Sequence, residues 1–296
     1  LVSMGVTAIG PLVQAAQDKD GAVRGGAGGP LKSIGAPAVD SLMPLIDVYD
    51  DAVRGLAAST LGGIGEPAVK PLMRIMKQMK PLPGQEPAAF RRAKSAVQAA
   101  FTAMGDVAYG PITEQVLTDE HPEVRSVGAT ILGTIADQTK IGAIKPEKAA
   151  PVVAPLVKLL NTDPEWTVRR RAAASLGLLL DVAAANGAVP PLIARLTAVG
   201  ERPEVRAAAA KALGEIRAPE AAGPLAQTLM TNRAGATAEL ATALQRIGPP
   251  AIAPLTPALS HADPEVRLVA TQTIATVGTS AAVAPLGQAL SDSDVK

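Results

Sequence analysis

One short phrase returns through the whole chain and leaves few folds open to it. An acidic turn followed by Val-Arg occurs at Val23-Arg24, Val53-Arg54, Val124-Arg125, Val168-Arg169, Val205-Arg206 and Val266-Arg267. Weaker copies stand at Ala93-Lys94 and Ala236-Thr237. Successive second positions lie 30, 40, 31, 44, 37, 31 and 30 residues apart, which is a 30-residue unit with insertions. A unit of that size cannot bury its own apolar side, so repetition at this period predicts a stack in which each copy leans on its neighbours.

Inside the unit the order is constant. Arg54 leads to Leu61-Gly62, Ile64-Gly65, Pro67-Ala68-Val69 and Pro71-Leu72; Arg267 leads to Ile274, Val277-Gly278, Ala282-Val283 and Pro285-Leu286. Apolar residues three and four apart on both sides of the glycine predict two amphipathic helices per unit. Asp163-Pro164-Glu165 and Asp263-Pro264-Glu265 supply an N-cap, a proline at the first helical position and an acid beside the positive end of the dipole. Gly65, Gly248 and Gly278 are placed to end the first helix in a left-handed residue. A proline recurs early in the second helix, as at Pro11, Pro71, Pro111, Pro155, Pro191, Pro224, Pro254 and Pro285, where it is expected to bend the helix at little cost. Aromatic residues are only 2% of a chain that is 48% hydrophobic. Small aliphatic side chains of this kind suit closely packed helices.

The stretch from Asp163 to Gly177 resembles the phycobilisome-lyase type of HEAT-like repeat, and Pro203 to Gly214 is similar to the same family. The resemblance runs through essentially the whole chain. It implies an all-α fold, an α-α superhelix (a HEAT/armadillo-like solenoid) of about eight helical-hairpin repeats, continuous over residues 1–296. Arg24, Arg54, Arg125, Arg169, Arg206 and Arg267 then line up from copy to copy. They are read as a structural ladder, each pairing with an acid of its own or a neighbouring turn.

The pattern breaks in five places. Gly25-Gly26-Ala27-Gly28-Gly29-Pro30 occupies the body of a first helix. Four glycines and a proline there cost on the order of 7 kcal/mol against alanine, so a kinked, short or frayed helix is expected, with a hinge as the functional alternative. Insertions near 80–90 and 138–150 are read as loops from their proline and glycine content. Both chain ends fall mid-repeat, with Lys296 at the arginine position, which suggests a fragment of a longer repeat protein.

Chemistry finds little to work with. Cysteine is absent, and net charge is +1, so no bulk field points to nucleic acid or an acidic membrane. No apolar run reaches the roughly 20 residues needed to cross a bilayer. His121 and His261 sit in equivalent turns several copies apart, so neither a catalytic triad nor a zinc triad can be built from them. Gly25–Gly29 lacks the Gly-Lys-Ser/Thr ending of a phosphate loop. Asp50-Asp51 reads as capping, and Tyr49, Tyr109 and Trp166 are too sparse for base stacking. Met73, Met76 and Met79 are read as core filling. No cofactor or metal is expected, and the chain is read as no enzyme.

What remains is a surface. Residues exposed by periodicity on the second helices are Asp40, Asp47, Lys70, Arg74, Lys77, Glu114, Lys158 and Arg195. The local basic bias of Lys70, Arg74, Lys77 and Lys80, followed by Arg91, Arg92 and Lys94, is read as a solvated face or an acidic-partner patch. Mixed signs favour a protein partner over a polyanion, hence a non-catalytic interaction scaffold. The alternatives are a bilin lyase or chromophore-chaperone subunit, implied by the resemblance; a nucleic-acid-binding HEAT-like protein; and a self-assembling structural subunit. A soluble, cytoplasmic protein is expected, with export left open because the chain opens at Leu1.

Overall fold

The computed structural model describes residues 2–78, 88–137, 144–231 and 236–289, and among these every regular element is a helix. Contacts divide the chain into two compact units, Leu1–Ile144 and Lys145–Lys296. In the first unit the α-helices are α1 (Ile9–Ala15), α2 (Gly21–Ile34), α3 (Val39–Leu42), α4 (Asp51–Ile64), α5 (Glu66–Gln78), α6 (Ala88–Met104), α7 (Tyr109–Pro111) and α8 (Pro122–Asp137). In the second they are α9 (Pro146–Ala149), α10 (Val153–Thr162), α11 (Trp166–Leu178), α12 (Asp181–Ala185), α13 (Val189–Thr197), α14 (Pro203–Ile216), α15 (Ala222–Thr231), α16 (Thr237–Ile247), α17 (Ile252–Leu255), α18 (Pro264–Val277) and α19 (Val283–Ala289).

Each unit is a two-layer stack. The first helices of successive repeats pack in sequence, α2 on α4, α4 on α6 and α6 on α8 in one unit, and α11, α14, α16 and α18 in the other. The second helices form the other layer, α1, α3 and α5 in one unit and α10, α13, α15 and α17 in the other. Leu61, Leu72, Leu156, Leu176, Leu213 and Leu244 are all buried between the layers. Each such leucine contributes about 2 kcal/mol of transfer free energy.

Close approach of the first helices rests on the Leu-Gly step. A Cβ placed on Gly62 would stand 2.4 Å from the Ala103 Cβ and 2.7 Å from the Ala100 carbonyl oxygen. One on Gly177 would lie 2.9 Å from the Ala212 Cα, and one on Gly214 would lie 2.6 Å from the Ala243 Cα. Glycine on one helix therefore faces alanine on the next, and the two backbones touch where larger residues would hold them apart.

Helix ends follow the expected chemistry in part. Asp50 accepts hydrogen bonds from the Ala52 N–H at 2.8 Å and the Val53 N–H at 3.1 Å, and these hold its carboxyl below the ordinary value. Asp263 caps α18 through the Glu265 N–H at 2.7 Å. Asp163 makes the same bond to Glu165 at 3.0 Å, yet α11 starts only at Trp166. Gly278 is left-handed as expected, but Gly65 and Gly248 are not: their φ/ψ values of 80/−133° and 81/−139° lie in a region essentially reserved for glycine. Leu180 fills the place equivalent to Gly65 with φ 48° and ψ −123°, a strained backbone for a side chain.

The early proline does not break α5, where Pro71 lies inside an uninterrupted helix. After Pro111, α7 passes into a π-turn, Ile112–Val116. In two other second helices the α geometry gives way at a proline three positions further on. Pro44 and Pro257 fall in 3-10 turns, Met43–Ile46 and Thr256–Ser260, that follow α3 and α17. Proline there removes an N–H and clashes with the carbonyl of the preceding turn. Arg74, in the equivalent place, leaves α5 whole.

Two expectations are corrected. The Gly25–Pro30 helix is neither short nor split, since α2 spans 14 residues, the same as α4. Packing against α4 overrides propensity; a Cβ on Gly28 would come within 2.8 Å of the Leu56 Cδ1, so that side chain would have to shift. Gly25, Gly26 and Gly29 face open space. Replacing these three with alanine should stabilise the chain by about 2 kcal/mol together, read as a higher urea midpoint; a lower midpoint would show that they serve something other than the fold. The insertion near 138–150 is also not wholly a loop. Lys145 stands at the N-cap position of α9 with no side-chain bond to it, and Ile144, Ala149 and Val152 are buried. Residues 79–87, most of the other expected insertion together with Met79 and Lys80, residues 138–143, and the terminal half-repeat ending at Lys296 lie outside the described residues.

Candidate partner-binding surface

The six arginines of the Val-Arg phrase are all anchored, mainly to main chain. Each guanidinium reaches back to carbonyls at the end of the preceding second helix. The Nη1 of Arg24 donates to Asp18 at 2.8 Å, that of Arg54 to Val48 and Tyr49 at 2.6 and 2.8 Å, and that of Arg125 to Asp119 and Glu120 at 2.8 and 3.0 Å. Arg169 donates to Asp163 and Pro164 at 2.8 and 2.9 Å, Arg267 to His261 and Ala262 at 2.7 and 3.2 Å, and Arg206, through Nη2, to Ala198 at 3.2 Å. The period of the ladder was legible, but its common partner is backbone oxygen. Arg54 adds an ion pair with Asp51.

Arg169 adds more. Its Nε and Nη2 hold both oxygens of Glu201 at 3.0 and 2.6 Å, and Arg195 Nη1 joins at 3.3 Å. Glu201 also accepts from the Arg202 N–H at 2.9 Å, and its side chain is 2% exposed. Burial pushes the Glu201 carboxyl up, but the Arg169 and Arg202 hydrogen bonds, the Arg169 charge and the Arg195 bond outweigh it and hold the group below its ordinary value. Arg195, expected on the contact surface, is partly exposed and tied to Glu201. Nothing in the sequence singled out Glu201, because a carboxylate in a turn reads as a cap.

The other surface residues are exposed as expected at Asp40, Asp47, Lys70, Arg74, Glu114 and Lys158, with Lys77 partly so. Much of the basic bias is answered locally. Lys77 stands 4.0 Å from Asp119, Arg92 3.9 Å from Asp47 and Lys94 3.6 Å from Glu123. Lys70 and Arg74, one turn apart on α5, make no ion pair among the described residues. Met73 and Met76 are buried.

His121 lies 3.3 Å from Glu120 and 3.6 Å from Asp119, while the His261 Nδ1 accepts the Asp263 N–H at 3.1 Å. Each histidine is thus part of its own turn. Tyr109 is buried with an unbonded hydroxyl, and burial, then the Asp106 charge, push it up to about 12. No three His, Cys, Asp or Glu side chains among the described residues are grouped to hold a metal. No described helix is long and apolar enough to cross a membrane.

With this geometry, the family model for HEAT repeats matches residues 153–245 and 233–296. Residues 153–296 carry HEAT repeats. An engineered protein of known structure is similar at 23% identity, covering 95% of this chain and 81% of its own, with a TM-score of 0.50. Importin beta is similar at 15% identity, 95% and 42% coverage and a TM-score of 0.56. Kap121p bound to the extreme C-terminus of the protein phosphatase Cdc14p is similar at 14% identity, 92% and 33% coverage and a TM-score of 0.50. The chain therefore spans less than half of either karyopherin. No curated protein matches it in sequence. At these identities the likeness establishes the fold, a HEAT/armadillo-type solenoid, and nothing finer.

Proposed function

We propose that the chain is a non-catalytic scaffold that binds a protein partner on the exposed side of its second helices. The observation that carries this reading is α5: Lys70 and Arg74 project from a packed helix, one turn apart and without an ion-pair partner among the described residues, while neighbouring cations are neutralised. Asp40 and Asp47 on the preceding repeat, and Glu114 on the following one, give the first unit alternating bands of charge. Such bands set orientation and register with a partner more than raw affinity. Lys158 marks the corresponding layer of the second unit. That a Kap121p structure holds the C-terminus of another protein supports a protein ligand for this kind of fold.

Affinity capture with the wild-type chain and with the Lys70→Glu/Arg74→Glu variant tests the idea. Both residues are exposed, so the variant should fold normally. One dominant protein should be recovered by the wild type and fall at least tenfold with the variant. Equal recovery by both, or no recovered protein, contradicts the reading. The lyase-type resemblance has its own test, since a linear tetrapyrrole mixed with the protein should show no red-shifted absorbance if the scaffold reading holds.

A further inference from the structure

The turns that open α11 and α14 depart from the repeat in a coordinated way. Counting back from Val-Arg, the second residue is proline at Pro203 and Pro264 but tryptophan at Trp166, and the third is Glu165, Arg202 or Asp263. Asp263 caps its helix, whereas Arg202 stands at the N-cap of α14 with no side-chain bond to it. An arginine cannot accept the orphan N–H groups, and its charge opposes the positive end of the dipole. Capping therefore does not explain it.

Trp166 does. The Arg202 guanidinium carbon lies 5.8 Å from the centre of the indole, and that of Arg170, one turn along α11, lies 5.6 Å from it. One half-exposed ring thus collects two cations from adjacent repeats. A cation–π contact with an indole fixes a guanidinium while leaving it N–H groups for a further partner. Arg170 Nε is buried and without a hydrogen-bond partner. Neither arginine has a carboxylate within 4.0 Å among the described residues, although Glu165 and Glu204 are close in sequence. The nearby Glu201 is already held by Arg169 and Arg195. In the same turn Val199 is fully exposed.

We propose that Trp166, Arg170 and Arg202 form a dock for an acidic peptide segment, with the two guanidinia held at the ring taking its carboxylates. This site lies on the turns of the second unit, apart from the second-helix surface, and does not depend on it. Two fixed cations suit carboxylates spaced along a chain, because each guanidinium pairs with a carboxylate through two parallel bonds.

Trp166 is the only tryptophan in the chain, so its emission reports this site directly. The full chain is titrated with a hexaglutamate peptide, a hexalysine peptide and inorganic phosphate. Hexaglutamate should change Trp166 emission saturably, more weakly at high salt, and hexalysine should not. Arg170→Gln/Arg202→Gln should weaken the effect at least tenfold with the circular dichroism spectrum unchanged. Should that variant not fold, Arg202→Gln, at an exposed residue, should still weaken it about threefold. Lys70→Glu/Arg74→Glu should leave it intact. No response to hexaglutamate, an equal response in the arginine variants, or phosphate acting as strongly as the peptide would each overturn the proposal.

Discussion

Gly214→Val should destabilise the second unit by more than about 3 kcal/mol, the largest loss expected from any single small substitution in it. The position where a Cβ would sit is 2.6 Å from the Ala243 Cα and 2.9 Å from its Cβ. Neither atom is the end of a flexible side chain. Relief requires moving α14 away from α16, which opens space around Leu213 and Leu244, both fully buried, and forfeits their contacts. The control is Gly223→Ala on α15, where nothing lies within 4 Å of the added carbon, and a small gain is expected. Chemical denaturation of both variants, with hydrogen exchange on α14 and α16, gives the answer. If Gly214→Val is as stable as the wild type, the close glycine–alanine crossing does not organise the stack.

Glu201→Ala should cost about 3 kcal/mol, because it leaves the half-buried guanidinia of Arg169 and Arg195 without the carboxylate that satisfies them. Arg169 would keep its bonds to the Asp163 and Pro164 carbonyls. The loss should therefore appear as weaker cohesion between α11, α13 and the turn before α14, with α11 still docked at its start. The same carboxylate predicts an acid limb. Its folded value lies below the ordinary 4.5, so its contribution is complete above that value and disappears as pH falls below it toward the folded value. The stability gap between wild type and Glu201→Gln should accordingly be constant near neutral pH and close in that acid range. A gap that persists unchanged at low pH would mean that packing, not charge, makes Glu201 matter.

Much of the fold could be read from the sequence because its signal is periodic. Val-Arg, Leu-Gly and the recurring prolines return at fixed offsets, and each has a local physical reason. What could not be read depends on a neighbour. Gly62, Gly177 and Gly214 sit in plain view in the phrase, yet their role is set by Ala103, Ala212 and Ala243 one repeat further on. The ladder arginines find backbone carbonyls, which have no sequence signature at all. Gly25 to Pro30 contradicts helix propensity and is helical nonetheless, because α4 supplies the surface it packs on. The helix from Pro146 has a sequence signal, proline followed by Glu147 at a helix start, but the glycine-containing run before it carries the opposite signal of a loop.

For the surface, exposure followed from period, whereas commitment did not. Lys70 and Lys77 look alike in sequence, and only the fold brings Asp119 to Lys77 while Lys70 meets no carboxylate among the described residues. Arg195 was indistinguishable from Lys158 until Glu201 was seen beside it. The cation-bearing Trp166 turn carried a sequence signal too, in the arginine that replaces a capping acid at Arg202.

On the proposed reading, partners are met by the second helices while the first helices serve the stack. Site-specific photo-crosslinking in the cells that make the protein tests it most directly. A photoreactive residue is placed in turn at Arg74 and Lys158 on second helices, and at Ser59 and Lys211 on first helices; all four positions are exposed. A discrete adduct is expected from Arg74 or Lys158 and none from Ser59 or Lys211. Adducts from the first-helix positions alone would contradict it.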